Sequence, residues 1–267
     1  MSINFREGGE KTRIYKKGKT SDTAVSEVVG FMIIFGIMLS GIALITVYGY
    51  PMLLQEQQNT NVRNMERNMI LLQSDVNALV YKNVPYKETT MQVSGGTLRV
   101  EPGGLTSSFT VDVNGTTFSY PLGEILYESQ DGTTTISLEN GAVHTRLTSS
   151  PTGSAMLAEP RWFYDKSTQT FVMSVIRIDS SDYLAQTGFG TVKMKLTDPK
   201  SEPYDIATGN DVLITYMPDP NKNYKKSWDN YFSAPELAMQ SNSGSYNLPA
   251  VAKKLVIKTY TVEVLSL

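Results

Sequence analysis

The feature that most constrains this chain is an apolar stretch near its N-terminus. No Asp, Glu, Lys or Arg occurs in the 23 residues from Val28 to Tyr50. A helix of that length would be roughly 34 Å long, which is enough to cross a hydrocarbon core of ~30 Å. The stretch is therefore predicted to form a single transmembrane helix, and membrane lipid is its first expected partner.

The charges beside this stretch predict its orientation. Before Ala24 the chain carries six basic and three acidic residues. No comparable basic cluster follows Tyr50, because Arg63 and Arg67 lie well beyond it and are mixed with acidic residues. The positive-inside bias therefore predicts a cytoplasmic N-terminus and an extracellular C-terminal part.

The composition of the exported part excludes several kinds of site. From Val25 onward there are 18 basic and 23 acidic residues, so no nucleic-acid partner is expected. The absence of cysteine excludes disulfides and thiolate metal sites. His144 is the only histidine and lies in a predicted strand, without a Gly-x-Ser-x-Gly motif anywhere in the chain. We expect no catalysis, no metal and no cofactor.

The apolar stretch has two further interpretations. A secretory signal peptide has a shorter apolar core of ~7–15 residues followed by a small-residue cleavage site. Here the candidate site ends at Ala43, and apolar residues continue past it. A plain uncleaved membrane anchor is the other interpretation, and the sequence leaves it open.

The polar edge of the stretch carries a family resemblance. Ala24-Val-Ser-Glu-Val-Val-Gly30, behind a basic leader, resembles the start of archaeal type IV pilin-like proteins, which have class III signal peptides. The resemblance covers about residues 16–50. It implies a prepilin-type peptidase as a partner, which cuts on the cytoplasmic side and leaves the apolar helix on the mature protein.

Two cleavage positions follow from this resemblance. Carried over residue by residue, the favoured cut falls between Ala24 and Val25. The alternative falls between Gly18 and Lys19, behind a pair of lysines. The favoured cut would leave Glu27 as the third residue of the mature chain, whereas bacterial pilins have an acid at the fifth.

Three residues in or directly before the stretch are candidates for assembly. The resemblance implies that Glu27 pairs with the N-terminal amine of a neighbouring subunit, here at Val25. The alternative places Glu27 in the headgroup region, where the helix macrodipole favours it by about 0.3–1 kcal/mol. Gly36 and Ser40 are four residues apart, a spacing that lets helices approach closely in lipid. Expected partners are therefore further copies of this chain or other pilin-like subunits.

Beyond Pro51 an amphipathic helical pattern continues to about Lys82. Its apolar residues are spaced alternately three and four apart and form a seam of Val62, Met65, Met69, Leu72, Val76 and Leu79. Such a seam packs on another apolar surface. That surface is either the chain's own β domain or a helix of a neighbouring subunit, and the sequence leaves both open.

From about Lys87 the period changes to two, which is typical of strands. Asn114-Gly115 and Asn140-Gly141 predict two-residue hairpin turns, and Gly95-Gly96 is a third candidate turn. Further predicted strands are Trp162–Tyr164, Thr170–Ile178, Thr191–Leu196, Asp211–Met217 and Lys254–Leu265. Polar segments at 198–203, 219–228 and 240–247 are predicted to be loops. The pattern favours an antiparallel β-sandwich-like domain.

Three minor motifs have competing interpretations. Asp219-Pro-Asn-Lys-Asn223 begins like a calcium loop but lacks its Gly and Glu, which leaves only a looser site with Asp219 and Asp229. The aromatic residues at 162–164 and 224–232 indicate core packing more often than carbohydrate stacking. Asn114-Gly-Thr116 is a glycosylation candidate, although Asn-Gly also suits a tight turn.

Together these features predict an α+β protein. We expect a basic leader over 1–24, a transmembrane or pilin-type helix over 25–50, an amphipathic extension over 51–84 and an extracellular β-rich domain over 85–267. The expected function is that of a non-catalytic, single-pass surface protein that assembles into or associates with a filament in a structural or adhesive role. The alternative is a permanently anchored envelope protein with a β-rich binding module that does not polymerise.

Processing is the first testable outcome. We expect the mature protein from native membranes to begin at Val25, because the peptidase would remove the leader and keep the apolar helix. Intact-mass measurement on membrane-extracted protein decides this. A chain that still begins near Met1, or one that begins after Ala43, would contradict the resemblance to pilins.

Overall fold

The computed structural model of the chain describes residues 21–82, 84–104, 107–150, 153–207 and 211–267. It begins with three helical segments, which are α1 (Ser21–Leu44), a π-helical turn (Ile45–Gly49) and α2 (Tyr50–Lys82). Contacts within the chain divide it into two compact units, one up to Gln55 and one from Glu56.

The second unit contains the strands. Within the described ranges these are β1 (Tyr86–Glu101), β2 (Ser108–Val113), β3 (Thr116–Pro121), β4 (Glu124–Ser129), β5 (Thr134–Glu139), β6 (Ala142–Leu147), β7 (Ser154–Ala158), β8 (Phe163–Asp165), β9 (Thr170–Asp179), β10 (Ala185–Asp205), β11 (Leu213–Met217), β12 (Gln240–Asn242), β13 (Ser245–Asn247) and β14 (Lys254–Ser266). A short helix, α3 (Lys225–Phe232), lies between β11 and β12.

These strands form two sheets. The larger has the order β7-β6-β5-β4-β1-β10-β14-β9-β8, and the smaller has the order β12-β13-β11-β2-β3. Neighbouring strands are antiparallel except β14 and β9, which run parallel. The predicted α+β class, with an N-terminal helix and a mostly antiparallel β-rich domain, is confirmed.

One face of the larger sheet is covered by α2. Five of the six seam residues have no exposed surface at all, and Val62 packs at the margin of the same cluster. Their neighbours are inward-facing side chains of the sheet, such as Leu98, Tyr127 and Val192. The seam therefore packs on the chain's own β domain, the first of the two surfaces that the sequence left open.

The opposite face of the larger sheet shares a second core with the smaller sheet and α3. Phe109 of β2 lies at its centre, with its ring centroid 5.0 Å from that of Trp228 and 5.2 Å from that of Trp162. Tyr224, Trp228, Tyr231 and Phe232 are all buried there. Core packing is thus the role of these aromatic residues, whereas Phe163 on β8 is half exposed.

Both Asn-Gly hairpins form as predicted. Asn114 and Asn140 have φ angles of 53° and 49°, and the glycines that follow have 79° and 72°. Positive φ at both central residues is what a type I′ turn requires, and it matches the twist of the paired strands. The turns join β2 to β3 and β5 to β6.

Four local predictions were wrong. Gly95-Gly96 does not turn the chain, because β1 continues through it with a bulge against β10 between Val93 and Leu98. Segment 198–203 belongs to β10, whose backbone pairs with β14 while its polar side chains face solvent. Segment 219–228 includes the start of α3, and segment 240–247 forms the β12–β13 hairpin.

Two adjacent leucines of α2 test how the seam is packed. Leu72 is fully buried, whereas Leu71 is 52% exposed. We expect Leu72→Ala to lower the free energy of unfolding by about 2–5 kcal/mol, since it leaves a cavity against the sheet. Leu71→Ala should change it by less than about 0.5 kcal/mol. Denaturant unfolding of both variants measures this, and equal effects would contradict the packing described.

Candidate functional site

In the part of the first unit that the structure describes, the chain forms a helix with its apolar side chains exposed. From Ser26 to Gln55 no residue is buried, and large apolar side chains such as Phe31, Ile37 and Ile45 are more than 60% exposed. By length and composition, one helical stretch among the described residues, Ser26–Lys82, is long and apolar enough to cross a membrane. Exposed apolar surface of this extent is costly in water, so the helix requires an apolar environment.

The hydroxyl groups inside this helix are satisfied locally. Ser40 Oγ donates to the Gly36 carbonyl oxygen at 2.8 Å, and Thr46 Oγ1 donates to the Ile42 carbonyl oxygen at 2.9 Å. Such bonds to the preceding turn remove the cost of an unpaired polar group in hydrocarbon. Gly36 and Ser40 therefore lie on one helix face, as their spacing predicts, and Ser40 presents a small surface there.

The glycines of the helix have no structural use within the chain. A methyl group added at Gly30, Gly36 or Gly41 would meet nothing within 4 Å. Each glycine in a helix interior costs about 0.5–1 kcal/mol relative to alanine. Small residues at such positions allow a close approach by another helix.

Pro51 explains the π-helical turn that precedes it. Proline has no N–H to donate to the carbonyl four residues earlier, which belongs to Val47. Just before it, the Tyr50 N–H bonds to the Ile45 carbonyl, five residues back, so the hydrogen-bond ladder shifts by one residue. Tyr48 and Tyr50 are exposed beside this turn.

The predicted processing and pairing residues lie at the start of α1. Glu27 is exposed and makes no ion pair with any residue that the structure describes. Ala24 and Val25 belong to the first turns of α1. Gly18 and Lys19, the alternative cleavage position, lie outside the described residues.

The second unit contains a buried charged cluster that the sequence analysis missed. Lys222 Nζ bonds to Glu124 Oε1 at 2.7 Å and also to the carboxylate of Glu101. Glu124 of β4 lies directly opposite Glu139 of β5, and both are buried. Glu139 accepts hydrogen bonds from Trp228 Nε1, at 3.0 Å, and from the Ser107 hydroxyl.

Burial sets the protonation of this cluster. Desolvation, with a smaller contribution from the charge of Glu124, raises the pKa of Glu139 to about 7. Desolvation also raises the pKa of Glu124, although Lys222 opposes the shift. The single lysine stabilises the charge of Glu124, while Glu139 has only neutral donors around it.

His144 forms a buried pair with Ser227 that is unsuited to nucleophilic chemistry. Its Nδ1 lies 2.7 Å from Ser227 Oγ, and Ser227 Oγ donates its proton to the Tyr224 carbonyl at 2.8 Å. His144 Nδ1 must therefore donate, which leaves Nε2 without a partner among the described residues. A base that activates serine accepts that proton instead. Burial lowers the pKa of His144 to about 3, so the ring is neutral.

The remaining sequence candidates have structural partners. Asp219 accepts the N–H of Asn221 and lies 3.6 Å from Lys222, while Asp229 pairs with Lys225 at 2.7 Å. Across the described residues no group of three or more His, Cys, Asp or Glu is placed to hold a metal ion.

Asn114, the glycosylation candidate, is exposed on its hairpin and engaged at both ends of its amide. Its Nδ2 donates to the Asp205 carbonyl at 3.0 Å, and its Oδ1 accepts the Ala207 N–H at 3.1 Å. The side chain thus links the β2–β3 turn to the end of β10. Its turn role, with φ at 53°, is observed directly.

Comparison with known proteins gives a family but no activity. A family model described as a family of unknown function (DUF7289) matches residues 23–265. The chain is similar to an uncharacterized protein of Archaeoglobus fulgidus, with 22% identity over 78% of this chain and 83% of the relative. No solved structure matches it.

The raised pKa of Glu139 predicts a pH-dependent stability. Between pH 4.5 and about 7 the unfolded state loses this proton while the folded state keeps it, so the free energy of unfolding falls. Glu139→Gln removes this loss and keeps an acceptor for Trp228. We expect the variant to gain roughly 3 kcal/mol over the wild type between about pH 4.5 and about pH 8. Denaturant unfolding at both pH values tests this, and a pH-independent difference would refute it.

Proposed function

The chain belongs to the family of unknown function whose model spans nearly all of it, and we propose that it is a pilin-like surface protein inserted in the membrane through its N-terminal helix. In this proposal Val28–Tyr50 lies in the bilayer and the N-terminus is cytoplasmic. The β-rich unit is extracellular and serves a structural or adhesive role. The apolar helix before Gln55, in which no described side chain is buried, is the observation that carries the proposal.

Self-association through this helix is the second part of the proposal. The open positions at Gly30, Gly36 and Gly41 favour close contact with another helix. Glu27 has no partner among the described residues of its own chain, and a carboxylate at the edge of a membrane favours one. The N-terminal amine of a processed neighbour, at Val25, supplies an opposite charge.

A permanently anchored protein that does not polymerise is the second candidate. The observation that favours it is the complete burial of Met65, Met69 and Leu72 against the chain's own sheet. That seam has no surface left for a neighbouring subunit, so a subunit contact through these seam residues is excluded. A pure anchor needs no such assembly.

Substitution of Glu27 distinguishes a protein that polymerises into a filament from one that stays anchored in the membrane. In a filament, loss of the charge pair would cost on the order of 3–5 kcal/mol at each buried contact. We expect Glu27→Gln to insert in the membrane and lose its leader normally, but to reduce the filaments released by shear. Sedimentation of sheared material, with mass analysis of the membrane fraction, measures both effects.

The matched control is Glu56→Gln, which removes an exposed acid beyond the apolar stretch. It should leave the sheared fraction unchanged. Absence of wild-type protein from the sheared fraction would favour the permanently anchored protein over the filament subunit. So would a Glu27→Gln variant that sheds as much as the wild type.

A further inference from the structure

An open polar groove lies in the second unit, on the side of the larger sheet where β1 meets β4 and β10. Its volume is about 880 Å³, within the range of ~300–1,000 Å³ that is common for ligand sites. It is bordered by the first turns of α2 in this unit, by the β4–β5 turn and by the segment that leads into β10. None of the sequence motifs points to it.

The groove exists because of the bulge in β1. Val93 pairs with Gly188 and Leu98 pairs with Gln186, so four residues of β1 lie opposite a single residue of β10. At its centre Gly95 has a φ of 61°, and a Cβ there would lie 2.4 Å from Asn61 Nδ2. Only glycine allows both this backbone conformation and this approach of α2. Bulges of this kind redirect side chains beside binding sites.

The floor of the groove is rigid. The Tyr127 hydroxyl lies 2.8 Å from the Ser94 carbonyl oxygen and 3.0 Å from that of Gly95. The Gln130 N–H also donates to the Gly95 carbonyl, at 2.8 Å. A site that is already ordered loses little conformational entropy when a ligand binds.

The walls present polar groups that the protein itself does not use. Among the described residues, the side-chain amides of Gln57, Asn61, Gln92 and Gln130 make no hydrogen bond to the protein. Each amide offers two donor hydrogens and an acceptor oxygen. Tyr183 adds an aromatic ring that is 82% exposed.

The lining excludes most ligand classes. Its two charged residues, Arg99 and Glu128, are paired at 2.6 Å, and Arg99 also pairs with Glu101 at 2.9 Å, so phosphate and other anions find no unpaired positive charge. Of the residues that line it, only Tyr183 and the buried Val93 have apolar or aromatic side chains, so a lipid tail finds no continuous apolar side-chain surface. The strands β4, β1 and β10 are paired on both sides, which leaves no free edge for an extended peptide.

We propose that this groove binds an uncharged carbohydrate. Sugar hydroxyls donate and accept hydrogen bonds, which matches the amides, and the C–H face of a sugar ring packs on an aromatic ring such as Tyr183. With a volume of about 880 Å³, the groove has room for an oligosaccharide. The inference goes beyond the membrane role and holds whether the chain polymerises or stays a monomeric anchor.

The test uses the full chain in lipid nanodiscs, because sugar-headed detergents would compete for the groove. The probes are maltotriose, chitotriose and mannotriose, with trigalacturonate as a charged comparison and acetylated tetra-alanine as a peptide. Saturation-transfer NMR and calorimetry measure binding to the wild type, Tyr183→Ala, Gln130→Ala and Phe163→Ala. Phe163 is the matched control, since it is a half-exposed aromatic residue on β8, away from the groove.

We expect at least one neutral trisaccharide to bind, and we expect Tyr183→Ala and Gln130→Ala each to weaken it about fivefold or more. Phe163→Ala should bind like the wild type. Neither groove side chain has a hydrogen-bond partner in the described protein, so neither variant is expected to unfold. Stronger binding of the charged or peptide probe would overturn the proposal. So would the absence of any sugar binding, or groove variants that bind like the wild type.

Discussion

The nine-stranded sheet has apolar side chains on both faces, and each face must be covered for the sheet to exist in water. On one side the seam of α2 supplies the cover, with Met65, Met69 and Leu72 fully buried. On the other side the smaller sheet and α3 do so, around Phe109 and Trp228. Burial of a Leu or Met side chain contributes about 1.5–3 kcal/mol, so the seam alone stabilises the unit substantially.

The apolar side chains of the helical residues are covered differently before and after Gln55. From Val62 to Leu79 the apolar positions form one stripe and are covered by the chain's own sheet. From Val28 to Tyr50 apolar residues surround the helix, and no residue that the structure describes covers them. A stripe suits one packing surface, whereas an all-round apolar helix requires a medium such as lipid or a ring of other helices.

Much of this architecture follows from sequence periodicity, and the failures have identifiable causes. The uncharged stretch, the 3–4 seam and the two Asn-Gly turns specify their local structure directly. Gly95-Gly96 predicts a turn but forms a bulge, because glycine pairs mark both and only the long-range pairing of β1 with β10 distinguishes them. The groove and the contact of Lys222 with Glu124 join residues distant in sequence, so no local pattern indicates them.

This chain has no cysteine, and its charged cluster links separate segments of the chain, as a disulfide often does. Lys222 ties the segment before α3 to Glu101 on β1 and Glu124 on β4. That contact places Tyr224 over His144, with ring centroids 5.1 Å apart, and brings Trp228 to Glu139. Removing one partner of a buried pair leaves an uncompensated charge, which costs more than the pair contributes. The cluster therefore fixes where the aromatic cover of the sheet sits, even though its net stabilisation is small.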